Sequence, residues 1–185
     1  MQEDRNRVCP VELAGSLDNK FRRWIQNPKK ILTPYVKEGM KALDIGCGPG
    51  FFSIEMAKLV GQNGKVIAAD LQEGMLQKIR TKIQGTLFEK IITLVKCEQN
   101  KINVHEKVDF ILAFYMIHEV PDKENLFREL KNILSENGKM LIVEPPFHVS
   151  KKEFESALNT AKSAGFKVSA GPKLFLNLSA ILTNT

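Results

Sequence analysis

Residues 43–50 read Leu43-Asp44-Ile45-Gly46-Cys47-Gly48-Pro49-Gly50, and the fold follows from how that stretch is read. Upstream, KALDIG (41–46) is a strand-like run. Downstream, FFSIEMAKLV (51–60) reads as a helix that stops at the Gln62-Asn63-Gly64 turn. Alternating glycines between a strand and a helix let the backbone approach a ligand closely. The helix that follows offers free N–H groups and a partial positive charge at the carboxyl edge of a sheet. A nucleotide-like ligand fits such a loop.

Asp70 ends the next strand, KVIAAD (65–70). A carboxylate at that place can accept hydrogen bonds from both hydroxyls of a ribose, although a single aspartate at a strand end is as readily a helix cap. A dinucleotide fingerprint would need glycine at 51, where the chain has Phe51, so a nicotinamide dehydrogenase is disfavoured. Asp44, just ahead of the first glycine, suits a positively charged amino group, which an amino-acid ligand has and a pyrophosphate lacks. The order Asp44, glycine set, Asp70 carries the reading where no one residue would.

Farther out, strand-like and helix-like segments alternate, as in a parallel α/β sheet. A helix over about 73–83 precedes a third strand, IITLVKC (91–97), and VDFILAFY (108–115) is a nearly all-apolar fourth, as expected of a strand covered on both faces. Pro121-Asp122 opens a helix whose stripe is Leu126, Phe127, Leu130, Ile133 and Leu134. Asn137-Gly138 ends that connection before a fifth strand, KMLIVEP (139–145). Ser150 and Glu153 form a capping box for a helix with Phe154, Ala157, Leu158 and Ala161 inward and Gly165 as its stop. The tail, about 166–183, reads as two strands around Gly171-Pro172, which a short link makes an antiparallel hairpin. Asp18 to Gln26 is a candidate helix, and Asn27-Pro28 a cap opening another.

The composition suits one domain: 185 residues, 43% apolar and 26% charged, enough to bury a core without staples. Residues 1–38 are expected to be a helical flap on the domain formed by 39–185. The expected setting is the cytoplasm. No apolar run approaches membrane-span length, the N-terminus is too polar for a signal peptide, and Cys9, Cys47 and Cys97 support no disulfide framework. The net charge of +6 allows weak attraction to nucleic acid. The basic residues are spread out, however, and the densest stretch, Lys20 to Lys30, is equally a solvated helix face.

LDIGCGPG and IAAD resemble the first two motifs of the class I S-adenosylmethionine-dependent methyltransferases. VDFILAFYMIHEVPD and LSENGKMLIVEP resemble that family's fourth- and fifth-strand motifs, in family order over about 38–183. The nearest flavour is the small-molecule and quinone-biosynthesis group. The resemblance implies a Rossmann-like, seven-stranded, mostly parallel sheet with an antiparallel last strand and helices on both faces. It also implies S-adenosylmethionine as cofactor. Asp44, Gly46, Cys47, Gly48 and Gly50 would form the loop around its methionine part, Asp70 would bind the ribose, and Leu71 would pack on the adenine. Ala113 and Phe114 would offer carbonyls to the amino group. The chain departs from the family after the third strand, where Cys97-Glu98 stands in place of the usual aspartate. Glu98 or backbone is left to contact the adenine.

Methyl transfer needs alignment and, for some acceptors, a base. Tyr115, His118 and Glu119 follow the fourth strand; Glu144 and His148 flank the end of the fifth. His118 is the first choice for a general base, against a packing or hydrogen-bonding role at the cofactor mouth. His148 is a second base, a substrate contact or a loop histidine. Glu144 and Glu119 bind substrate or cap helices. Spacing does not establish a metal site, and none is expected. Phe21, Trp24 and Tyr35 could wall a substrate pocket or anchor a homodimer interface, and Cys9 could reach the site from the flap. The expected substrate is a small molecule. The alternatives are an RNA or protein acceptor, disfavoured by the absence of an Asn-Pro-Pro-Tyr type motif, and a non-catalytic binding module.

Overall fold

The computed structural model describes residues 26–184. Helix α1 (Pro28–Leu32) is followed by β1 (Lys41–Ile45), α2 (Ser53–Val60), β2 (Lys65–Asp70), α3 (Glu73–Ile83), α4 (Phe88–Ile91) and β3 (Ile92–Lys96). Then come β4 (Val108–Phe114), a 3₁₀ turn (Ile117–Glu119), α5 (Lys123–Ile133), β5 (Leu134–Glu144), α6 (Lys151–Ser163), β6 (Phe166–Ala170) and β7 (Leu178–Asn184). The strands form one seven-stranded sheet in the order β3-β2-β1-β4-β5-β7-β6. All neighbours are parallel except β7, which runs antiparallel to both β5 and β6. The expected α/β sheet with an antiparallel last strand is therefore present.

Strand side chains alternate between faces, and the core divides accordingly. Leu43, Ile67, Ile111 and Ile142 join a cluster with Phe127 and Leu130 of α5 and Phe154 of α6. Ala42, Val66, Phe110 and Leu141 join a second cluster with Met56 of α2 and Ile79 of α3. Burying a large apolar side chain such as Phe127 or Met56 contributes roughly 1.5–3 kcal/mol, so helices cover both faces because both faces are apolar.

Local capping follows the sequence. Asn27 accepts from Lys30 N with Pro28 at the first helical position, Asp122 accepts from Asn125 N, and Ser150 with Glu153 makes the reciprocal box. Each such cap is worth about 1 kcal/mol.

Several boundaries differ from the expected ones. Leu134 begins β5 instead of ending α5, and Asn137-Gly138 lies inside β5. The pairing jumps from Val108–Leu134 to Phe110–Lys139, so the excess residues of β5 form an irregularity in the ladder and not the end of a connection. Helix α2 starts at Ser53, two residues late, because Gly50 to Phe52 complete the glycine turn. Ile91 closes the unanticipated helix α4, and Tyr115 leaves β4 with φ +61°. The candidate helix over 18–26, apart from Gln26, lies outside the described residues, as do Cys9, Phe21 and Trp24.

Candidate active site

The carboxyl ends of β1, β2 and β4 open onto a cleft of about 1240 Å³. That exceeds the roughly 300–1,000 Å³ of a site for one small ligand, leaving room for two reactants.

Asp44 and Asp70 both line it. Asp44, 2% exposed, accepts a 2.5 Å hydrogen bond from Ser53 Oγ at the start of α2, so the strand end and the helix start are tied through one carboxylate. Asp70 accepts from Gly48 N and Gln72 N, both at 2.8 Å. Burial raises its pKa; hydrogen bonds from Gln72 and Gly48, the Lys96 ammonium and a further contribution from Leu71 N–H act against that rise. A carboxylate has about four acceptor sites, so capacity remains for hydroxyl donors from a ligand.

The glycines divide by task. Gly48 has φ +52°, and a Cβ there would meet nothing within 4 Å, so the loop presents bare backbone to the cleft. Gly50 does not line the cleft. A Cβ there would sit 2.9 Å from Ile79 Cγ1, so it lets α3 approach the loop. Gly46 and Cys47 line the cleft, and both backbone N–H groups donate to Ala69 O of β2. Burial pushes the thiols of Cys47 and Cys97 up, the latter to about 12, with the Asp44 and Asp70 carboxylates adding to the rise at Cys47 and Asp70 at Cys97. Burial thus disfavours the thiolate form of both.

On the adjoining wall, Leu71 is 39% exposed, and Glu98 lines the cleft from a turn closed by its backbone pairing with Lys101. Phe114 lines it and packs on Phe52 with ring centroids 4.4 Å apart. Ala113 does not reach it; fully buried within β4, it sits between Ile45 and Ile142.

The opposite wall comes from the segments after β4, β5 and β6. His118 lines the cleft on the 3₁₀ turn, and its Nδ1 is hydrogen-bonded to Glu144 Oε2. Glu144, at the end of β5 and 1% exposed, does not line the cleft. Its second oxygen accepts from Ile117 N at 2.9 Å. The hydrogen bond to Glu144 raises the His118 pKa above the ordinary value; partial burial opposes this, and the charges of Glu144 and Glu119 add to it. His148 lines the cleft from an exposed turn after β5.

Tyr115 also lines the cleft, its hydroxyl donating to Asn177 Oδ1 and accepting from Gln26 Nε2, both at 2.6 Å. Gln26, Asn177 and Ser53 escaped the sequence reading. Ser53 had a fixed offset from the glycines as a signal, whereas the other two had none. Tyr35 walls no part of this cleft but stacks on Phe110 beneath the sheet, centroids 5.7 Å apart. Among the described residues no His/Cys/Asp/Glu group could hold a metal, and no helix is long and apolar enough to cross a membrane.

Comparison with known proteins agrees with this geometry. A family model described as a methyltransferase domain matches residues 36–173. A demethylmenaquinone methyltransferase of Bacillus cereus (strain ATCC 10987 / NRS 248) is 26% identical over 125 residues, covering 68% of this chain and 52% of that protein. One from Lactobacillus johnsonii is 33% identical over 110 residues, covering 59% and 45%. The chain thus spans about half the length of the curated relatives it matches. The crystal structure of a SAM-dependent methyltransferase from Aquifex aeolicus superimposes with a TM-score of 0.83 at 28% identity, covering 95% of this chain and 97% of that one. With the match spanning most of its length and the glycine loop and paired aspartates in place, the chain belongs to the methyltransferase-domain family.

Proposed function

We propose that this protein is an S-adenosylmethionine-dependent methyltransferase acting on a small-molecule acceptor. The observation that carries the reading is that Asp44 and Asp70 line one cleft from the ends of adjacent strands, with bare glycine backbone between them. The cofactor's chemistry fits this donor set. Asp70 keeps acceptor capacity suited to ribose hydroxyls, Asp44 supplies a buried carboxylate for an ammonium group, and Gly48 leaves the loop uncovered. Leu71 offers an apolar surface and Glu98 polar atoms at the far end; Cys47, Cys97 and Phe114 fill the walls.

S-adenosylmethionine supplies a methyl group that passes from sulfur to the acceptor atom, the bonding pair remaining on sulfur. The protein's own contribution is positioning and proton removal. His118 takes the acceptor's proton. Tyr115 and His148 line the same cleft and orient the acceptor. Ala113 and Gly50 support the site through packing. The small-molecule acceptor is supported by the demethylmenaquinone named for the relatives. Incubating the protein with methyl-labelled S-adenosylmethionine and a low-molecular-weight metabolite extract tests the reading. Label should appear in a small molecule; folded protein that binds the cofactor yet labels nothing, or labels only RNA or protein, contradicts it.

A further inference from the structure

His118 and Glu144 were chosen from the sequence as separate candidates, and the structure joins them. Glu144 is 1% exposed, and among the described residues its only ion-pair partner is His118. A buried carboxylate is costly unless its charge is met and its lone pairs are used. Here one oxygen takes the Ile117 N–H and the other meets Nδ1 of the next residue's ring. Backbone and side chain of one short turn are thereby held at two points by one rigid strand end.

Resting on the methyltransferase reading, we infer that Glu144 is the positioning residue of the site: it fixes His118 as the Nδ1–H tautomer and leaves Nε2 as the base, so the acceptor is a group that must lose a proton as it is methylated, such as a phenol, an enol or a thiol. When the imidazole is neutral, an acceptor-only carboxylate beside Nδ1 requires the proton on that nitrogen. The lone pair then lies on Nε2, on the side of the ring away from Glu144. As the acceptor atom bonds to the methyl carbon, its proton passes to Nε2. The resulting imidazolium is stabilised by the Glu144 charge and returns its proton to solvent through the open cleft. Glu144 itself gains and loses no proton. A tertiary amine or thioether acceptor has no proton to give and would draw nothing from this pair.

The charged groups that influence His118 are Glu144 from β5, Glu119 on its own turn, Lys123 from α5 and Glu153 from α6. Glu144 dominates, raising the value, and Lys123 opposes it. The reaction needs neutral His118, so the rate should rise with pH through a midpoint above the ordinary histidine value of 6.5.

The test uses the full chain in wild-type and Glu144→Gln forms. Nitrogen-15 imidazole spectra of the wild type should show Nδ1 protonated at high pH and Nε2 as the titrating atom. The Glu144→Gln form should titrate at lower pH. With the acceptor found by labelling, its kcat should fall roughly 10- to 100-fold, its rate midpoint should move the same way, and S-adenosylhomocysteine affinity should be unchanged. An Nε2–H tautomer in the wild type, or an unshifted midpoint in a folded Glu144→Gln protein, overturns the proposal. If that variant does not fold, the wild-type tautomer alone decides. Labelling of nothing by a protein with the expected tautomer would refute the methyltransferase reading and, with it, the proton-bearing acceptor; labelling of an acceptor with no removable proton would refute only the inference.

Discussion

On the β1–β2 side of the cleft, Asp44 and Asp70 are 2% and 8% exposed and held by Ser53 and by backbone N–H groups. On the side formed after β4, β5 and β6, Phe147 and Phe175 stand 86% and 72% exposed, and the polar contacts run between side chains far apart in the chain, as from Tyr115 to Gln26 and Asn177. Two non-glycine residues on this side, Tyr115 and Leu176, have left-handed backbones, at φ +61° and +55°. Such conformations cost of order 1–3 kcal/mol and persist where surroundings hold them. One wall is built by two consecutive strand–turn–helix units and suits an invariant ligand. The other is assembled from three loops, so changes there are expected to alter acceptor choice without disturbing the first wall.

Substitutions can separate the two walls. The largest effect is expected at His118→Gln. Losing the base should lower kcat by roughly 100-fold or more, while S-adenosylhomocysteine affinity stays within twofold or so of wild type, about 0.4 kcal/mol. A parallel loss of cofactor affinity, read by calorimetry, would mean that the walls are not independent. A smaller effect, on stability, is expected at Gly50→Ala. Its Cβ would press on Ile79 at 2.9 Å from a backbone at φ +86°, which should cost about 1–3 kcal/mol in denaturant unfolding. A wild-type unfolding midpoint would show that the glycine loop is not braced against α3.

The same contrast explains what was legible in the sequence. Asp44, the glycines and Asp70 stand at fixed offsets in two strand–turn units, so local pattern placed them in one site. It could not tell Gly48, whose bareness faces the cleft, from Gly50, whose bareness admits a helix, because both are glycines of one motif. A strand-end pattern likewise does not reveal that Ala113, on a strand whose end reaches the cleft, is itself closed in by neighbouring strands. Asn137-Gly138 carries a strong turn signal, and the pairing of β4 with β5 overrode it by absorbing the extra residues into the ladder. The His118–Glu144 contact bridges 26 positions and Tyr115–Asn177 bridges 62. Side-chain bonds at such separations leave no periodicity to read, so the residues could be nominated but not joined.

The most direct test of the shared cofactor cleft is a calorimetric titration of S-adenosylhomocysteine into wild-type and Asp70→Asn protein. The wild type should bind one equivalent, and the variant, deprived of a charged acceptor for the ribose, should bind at least about tenfold more weakly. Absence of binding by the folded wild type, or equal affinity in the two proteins, would contradict the assignment.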